Sequence, residues 1–285
     1  YQSAAAYAKE RLQGRSLSGP QHPDKPADPI IVHPDVRRNL LTMRALNEGA
    51  RAMALWVAIA VDVAEKHPDE KQRQEADDLV ALMTPIIKSF FTDAGFDVTN
   101  LGMQVFGGHG YIREHGMEQL VRDARIAQLY EGTNGIQALD LVGRKLSQNM
   151  GRLLRRFFHP VMAYVEANQT NAELAEFVAP LAKTMSRLQQ ATLWIAQQGL
   201  KDPEEAGAAA SDYLNLFAYT ALAYMWVRMA ETSLKGLEGE QKDFHEAKLA
   251  TARFFFQRLL PKSSGHFSAI MAGKAPVMAL KEAAF

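Results

Sequence analysis

The sequence predicts an all-α protein, a four-helix up-down bundle followed by a second helical bundle. Apolar side chains recur at helical spacing over long stretches, as at Leu40, Met43, Ala54 and Val57. No run alternates apolar and polar residues between turn signals, as a strand would. Proline, glycine and aspartate are concentrated at 16–34, which is typical of a loop and leaves long uninterrupted stretches for helices.

The first half is expected to hold five helices after an opening helix. The chain begins in a helical pattern without an initiator methionine or a signal peptide, so we expect an amino-terminal portion to be missing. Pro34 and Asp35 suit the first turn of the next helix. The expected helices cover 35–67, 70–94 with an end at Gly95, 98–106, 117–129 and 134–148.

Beyond residue 150 the pattern changes to long helices near 173–199, 211–235 and 241–260. Ser211 and Asp212 are candidate N-caps of the second of these, and Gly236 is a candidate C-cap. That helix is apolar over so wide an arc that we expect it to be covered on more than one side. We therefore divide the chain into domains at 1–149 and 150–285.

Composition excludes several classes of function. The formal net charge of the 285 residues is zero, so no strong electrostatic field favours the binding of nucleic acid. The absence of cysteine excludes disulfides and thiolate chemistry and fits a reducing compartment. None of the eight histidines follows a glutamate by three residues, and HExxH is absent, so no metal site is expected.

Glycine clusters offer one candidate binding turn. Neither GxxxxGK[ST] nor GxGxxG occurs. Gly107, Gly108 and Gly110 form a GGxG turn, which by itself favours a tight connection with positive φ over an approach to a ligand. His109 and His115 flank this turn, and we interpret both as surface hydrogen-bonding groups.

The segment 129–135 joins two amphipathic helices and holds one candidate base. In one interpretation, Glu131 is a first-turn acid at the positive end of a helix, with Thr133 as its cap. In the other, Glu131 is a carboxylate on a glycine-flexed connection, aimed into a pocket. The residues alone favour the first interpretation, because acids in first turns are common.

The longer stretch around Glu131 resembles the acyl-CoA dehydrogenase family. Residues 104–146, QVFGGHGYIREHGMEQLVRDARIAQLYEGTNGIQALDLVGRKL, contain Gln-x-x-Gly-Gly-x-Gly-Tyr, Arg-Asp-Ala-Arg and Tyr-Glu-Gly-Thr-Asn in the order and spacing of that family. Residues 7–14 are similar to the first helix of its carboxy-terminal domain. Residues 150–285 are similar to an extra bundle in larger bacterial members, including enzymes for long-chain substrates and for 3-methylthiopropanoyl-CoA.

The resemblance implies FAD-dependent α,β-dehydrogenation of an acyl-CoA to the trans-2-enoyl-CoA, of the fatty-acid β-oxidation type or the methylthiopropanoyl-CoA type. It makes Glu131 the base that removes the α-proton and the Glu131 backbone N–H a donor to the thioester carbonyl. Tyr130 and Gly132 become substrate-binding residues. Arg122 and Asp123 are expected to orient the connection. The carboxy-terminal four-helix domain would lie here, without the family's amino-terminal and β domains.

The resemblance also implies the contacts with FAD. Arg11 would meet the diphosphate, and Gly14 stands where many members have an aromatic residue. No flavin contact is assigned to 16–34. One group of residues would reach the neighbouring subunit's cofactor, and a second group would bind FAD in the base's own subunit. The first comprises Arg11, Gln104, Val105, Phe106, Gly107 and Gly108, and the second Thr133, Asn134 and Gly135.

The expected partners are an acyl-CoA substrate, an electron-transfer flavoprotein as acceptor, and a second copy of the chain in a homodimer that shares the FAD site. No nucleic acid is expected. A bacterial cytoplasmic location is expected, with a membrane-peripheral one left open. Two alternatives remain: a non-catalytic family relative with a binding or assembly role, and an unrelated helical adaptor.

Overall fold

The computed structural model describes all residues from 1 to 285. It contains no strand, and one isolated antiparallel bridge joins Leu12 to Pro29. The predicted all-α class is confirmed. The helices are α1 (Gln2–Glu10), α2 (Pro34–Lys66), α3 (Glu70–Phe106), α4 (Gly108–Tyr111), α5 (Met117–Ile126), α6 (Asn134–Asp140), α7 (Arg152–Asn168), α8 (Ala175–Lys201), α9 (Pro203–Lys235), α10 (Lys242–Phe254), α11 (Lys262–Met271) and α12 (Ala275–Met278).

The chain forms two compact units, residues 1–48 with 92–131 and residues 49–91 with 132–285. They are assembled from separated stretches, whereas the sequence suggested two consecutive domains. The predicted boundary at 149 stays a prediction.

The first unit brings the opening helix against the end of α3. The Tyr7 and Phe106 rings stack with centroids 4.0 Å apart. The Tyr7 hydroxyl lies 2.8 Å from His109 Nδ1. Ala4 and Ala8 of α1 are fully buried, because small side chains allow the helix to approach its neighbours closely.

Helix α3 passes through Gly95, so the predicted helix end at that residue is wrong. Glycine in a helix interior costs only about 1 kcal/mol relative to alanine. The buried residues Phe90, Ala94 and Val98 on either side of it offset that cost. By length and composition α3 could also cross a membrane, a property that buried core helices share.

Helix α9 is the centre of the second unit. Its residues from Leu216 to Val227 are all buried, which confirms that the helix is covered on more than one side. It packs against α6, α8, α10 and α11. Trp226 and Phe217 are completely buried, and Trp226 stacks on Phe255 at 6.2 Å between centroids.

Helix α9 begins earlier than predicted, so Ser211 and Asp212 are not its N-caps. Asp202 caps it instead, since its side chain accepts from the Glu204 N–H at 3.0 Å and Pro203 occupies the first turn. Gly236 is the C-cap, as predicted. Helices α7 and α11 were not predicted from the sequence.

An ion pair with a buried carboxylate joins α7 to α3 within the second unit. Asp78 is 2% exposed, and its carboxylate lies 2.9 Å from Arg152 Nη2 and 2.8 Å from Arg152 Nε. Arg156 lies 3.0 Å from Glu75. Two-point contact of a guanidinium with a carboxylate fixes orientation as well as distance. Arg152 and Arg156 therefore anchor the start of α7.

Candidate active site

The connection from α5 to α6 has an unusual backbone at Glu131. Its φ is 56°, followed by a φ of 80° at Gly132. Left-handed φ is uncommon for residues other than glycine, and such residues concentrate at functional sites. Glu131 therefore lies outside helix α6, and its conformation differs from that of an acid in a regular first helical turn.

Side chains from α3 hold the start of α6. Lys88 Nζ donates to the Gly132 carbonyl at 2.7 Å and to Asn134 Oδ1 at 3.0 Å. Asn134 Nδ2 donates to the Ser89 carbonyl at 3.2 Å. Thr133 Oγ1 accepts from the Ile136 N–H at 3.4 Å, so Thr133 is the N-cap that one interpretation predicted. The residues directly after Glu131 are thus fixed by several hydrogen bonds.

Tyr130 and Glu131 are both exposed, with Tyr130 at 52%. Leu129, the preceding residue, is 48% exposed. Exposed apolar side chains next to a carboxylate are typical of a surface that another molecule covers.

A second group of predicted residues lines a hollow of about 380 Å³ in the first unit. Arg11 lies on one wall at the end of α1, and Gln104 to Gly107 lie on another at the end of α3. The remaining lining residues are Tyr7, Gln13, Gly14, Ile30, His33 and Val36. The structure thus gathers five of the six residues expected at the neighbour's cofactor, while Gly108 lies outside the lining.

The hollow fits an anionic ligand. The Arg11 side chain is exposed and has no hydrogen bond or ion pair within the chain. No aspartate or glutamate belongs to the lining. Gly107 has a φ of 60°, and no atom lies within 4 Å of the place where a Cβ would stand, so a ligand can approach it closely. A guanidinium without a partner, beside a glycine that a ligand can approach, suits a diphosphate.

A buried carboxylate shapes the loop beside this hollow. Asp28 is fully buried and accepts from the N–H groups of Ser16 at 2.9 Å, Gln21 at 3.1 Å and His22 at 2.7 Å. Burial alone would raise its pKa. The three backbone donors and the guanidinium of Arg15 outweigh burial and lower the pKa to about 2. The carboxylate thereby stays charged at neutral pH.

Arg122 and Asp123 do not orient the connection through polar contacts. Arg122 pairs with Glu118 at 3.9 Å, and Asp123 accepts from Gln119 at 2.7 Å, both within α5. Lys88 holds the connection instead, through its hydrogen bonds to Gly132 and Asn134. No sequence pattern identified this residue.

Both histidines at the glycine turn are exposed, as predicted, but only His109 makes a side-chain hydrogen bond. His109 contacts the Tyr7 hydroxyl, and its ring stacks on that of His115 with centroids 5.2 Å apart. No cluster of three or more histidine, aspartate or glutamate side chains is positioned to hold a metal ion.

The sequence matches two described families over most of its length. Residues 1–146 match "Acyl-CoA dehydrogenase, C-terminal domain", and residues 157–281 match "Acetyl-CoA dehydrogenase C-terminal like".

Two curated relatives match almost the whole chain. The 3-methylmercaptopropionyl-CoA dehydrogenase of Ruegeria pomeroyi is 39% identical over 281 residues, which are 95% of this chain and 46% of that protein. The broad-specificity linear acyl-CoA dehydrogenase FadE5 of Mycobacterium tuberculosis is 31% identical over 301 residues, covering 100% of this chain and 48% of that protein. The chain spans about half the length of these relatives.

Solved structures share the fold. An acyl-CoA dehydrogenase of Bacillus anthracis complexed with FAD matches with a TM-score of 0.73 and 18% identity, over 94% of this chain and 44% of that one. ACDH-11 of Caenorhabditis elegans in complex with C11-CoA matches with a TM-score of 0.70 and 17% identity, over 89% of this chain and 39% of that one. The family match over residues 1–146 and the two relatives that are 39% and 31% identical assign the protein: the chain belongs to the acyl-CoA dehydrogenase family.

Proposed function

We infer that the chain serves as the carboxy-terminal part of an FAD-dependent acyl-CoA dehydrogenase, with Glu131 as the catalytic base. The observation that carries this inference is the left-handed backbone of Glu131, immediately before a helix start that Lys88 and Asn134 tie to α3. Family membership supports the reaction class, and relatives about twice as long support the role as one part of a larger protein.

The chemistry requires a base and a polarised carbonyl at the same time. A hydrogen next to a thioester carbonyl is only weakly acidic, so the carbonyl oxygen needs hydrogen-bond donors while the base acts. Glu131 takes the α-proton on its carboxylate, and its backbone N–H donates to the carbonyl oxygen. FAD, when bound, would supply the acceptor for the hydride of Cβ. Tyr130 and Gly132 line the passage for the acyl group.

The residues that would hold FAD lie in two places along the chain. Arg11 and Gln104 to Gly108 would hold the diphosphate and adenine-ribose part of one cofactor, which the hollow of the first unit supports. Thr133, Asn134 and Gly135 would meet a second cofactor through their backbone, because the Asn134 side chain is engaged with Lys88 and Ser89. Such an arrangement calls for a homodimer whose subunits share each FAD site.

The relatives' names support a substrate class, and family membership underlies the expected electron acceptor. We expect a linear acyl-CoA or a methylthio-substituted acyl-CoA, since relatives named for these substrates match 95% and 100% of the chain. We expect an electron-transfer flavoprotein to reoxidise the cofactor and the bacterial cytoplasm to be the location.

Replacement of Glu131 by Gln tests the proposal. Glu131→Gln keeps the side-chain volume but removes the base, so turnover of acyl-CoA should fall by about 10²- to 10⁴-fold while the flavin remains bound. Glu114→Gln, at an exposed acid in the same unit, is the matched control and should leave turnover unchanged. Residual activity close to wild type in Glu131→Gln would exclude Glu131 as the base. If no acyl-CoA reduces the flavin of the wild-type protein under anaerobic conditions, a binding or assembly role is favoured.

A further inference from the structure

His33 stands on the wall of the Arg11 hollow, at a place where no ligand contact has been assigned. Its ring is half-buried, and Nε2 lies 2.9 Å from the Gln13 carbonyl oxygen. A carbonyl oxygen can only accept, so Nε2 carries the hydrogen of this bond. The other ring nitrogen, Nδ1, has no partner within the chain.

The backbone around His33 is held rigidly. The Ile30 N–H donates to the Arg11 carbonyl at 2.8 Å, the Gln13 N–H to the Asp28 carbonyl at 2.9 Å, and the Asp28 N–H to the Gly14 carbonyl at 2.9 Å. These three bonds pair the segment 11–14 with the segment 28–30. Arg11 and the turn that carries His33 therefore belong to one braced structure.

Gly14 allows the imidazole to lie against this wall. Its φ is +71°, and a Cβ at that position would stand 3.6 Å from both Cε1 and Nε2 of His33. Glycine is the residue best suited to positive φ, and without a side chain it leaves the space beside the ring open. The ring is thus fixed on one edge by Gln13, while its second nitrogen keeps its hydrogen-bonding capacity.

We propose that His33 is a further cofactor-binding residue, whose Nδ1 joins the guanidinium of Arg11 in binding the diphosphate of FAD. The imidazolium form donates from both ring nitrogens, so Nε2 keeps its bond to Gln13 while Nδ1 donates to a phosphate oxygen. Arg11 supplies a guanidinium, and no carboxylate lines the hollow to compete with the phosphate for it. This inference rests on the proposed function.

His33→Gln separates ligand binding from a purely structural role. The glutamine amide can reach as far as Nε2 and preserve the bond to the Gln13 carbonyl, but it has nothing at the place of Nδ1. His33→Phe fills the same space and loses both nitrogens. The exposed residue His159 on α7 supplies the matched control, His159→Gln.

The measurement is the Kd for FAD of flavin-free protein that carries this chain, from flavin fluorescence, with the Tm of each flavin-free variant. We expect His33→Gln and His33→Phe each to raise the Kd about tenfold, as the loss of one hydrogen bond to a charged group predicts. The Tm of His33→Gln and the Kd of His159→Gln should match the wild type.

Two outcomes would overturn the inference alone. If the Kd is raised in His33→Phe but equals that of the wild type in His33→Gln, His33 only supports the backbone at Gln13. If the Kd equals that of the wild type in both variants, His33 does not take part in FAD binding. Wild-type protein that takes up no FAD would instead overturn the proposed function, and this inference with it.

Discussion

Two glycines inside long helices should respond oppositely to alanine. Gly49 in α2 and Gly95 in α3 both carry the cost of glycine in a helix interior. A Cβ at Gly49 would lie 2.7 Å from Trp226 Nε1 and 3.0 Å from Leu222 Cδ2, whereas a Cβ at Gly95 would meet nothing within 4 Å. Trp226 is completely buried and stacked on Phe255, so its ring cannot move aside freely.

The magnitudes follow from two opposing effects. In a helix interior, alanine stabilises the folded state by about 1 kcal/mol relative to glycine. Gly95→Ala should keep most of this gain and stabilise the fold by about 0.5–1 kcal/mol. Gly49→Ala gains the same amount but overpacks the core around Trp226, which costs about 1–3 kcal/mol. Its net effect should be a loss of about 1 kcal/mol.

Thermal unfolding followed by circular dichroism measures both effects. For a protein of this size, about 1 kcal/mol corresponds to a shift in Tm of roughly 2–4 °C. We expect Gly49→Ala to lower the Tm and Gly95→Ala to raise it. A Gly49→Ala protein with a Tm equal to or above that of the wild type would refute the close packing of Trp226 on α2. A Gly95→Ala protein with a lowered Tm would refute the unbroken course of α3.

Three further substitutions test other contacts. The folded pKa of Asp28 is about 2, below its ordinary value of 3.8, so its contribution to stability should be complete above pH ~4 and lost as the pH falls toward 2. Hydrogen exchange of the loop amides of Ser16, Gln21 and His22 should show this loss of protection in the wild type but not in Asp28→Asn. Lys274 contacts Asp202 and Glu204, and these contacts raise its pKa. Lys274→Met should therefore make residues 272–285 more sensitive to protease. High salt should have the same effect on the wild type, because it screens the ion pairs. Tyr213→Phe removes a buried hydrogen bond of 2.7 Å to Thr192 and should cost about 1 kcal/mol in urea unfolding; an unchanged midpoint would show that the bond contributes nothing.

Periodicity predicted the parts of the fold that depend on burial. The wide apolar arc of α9 and the cap at Gly236 are local properties of the sequence, and both agree with the structure. The predicted start of α9 at residue 211 is wrong because Asp202-Pro203 is a stronger helix-start signal earlier in the sequence. The end at Gly95 was wrong because packing on both sides of a glycine outweighs its low helix propensity.

The candidate site was predictable from motifs but not in its geometry. The residues on the connection could be named from the sequence, while the positive φ of Glu131 could not, since glutamate seldom adopts it. Lys88 holds Gly132 across 44 residues of sequence, and no local pattern marks such a contact. The position of His33 beside Gly14 likewise depends on the pairing of 11–14 with 28–30.

The most direct test of the account isolates the proton transfer at Glu131 from the hydride transfer. Flavin-loaded protein is mixed in deuterated buffer with an acyl-CoA whose Cβ is replaced by sulfur, so that no hydride can leave, and deuterium at Cα is followed by mass spectrometry. The account predicts rapid incorporation with the wild type and incorporation at least about 100-fold slower with Glu131→Gln. Incorporation at the wild-type rate by Glu131→Gln, with flavin bound, would contradict it.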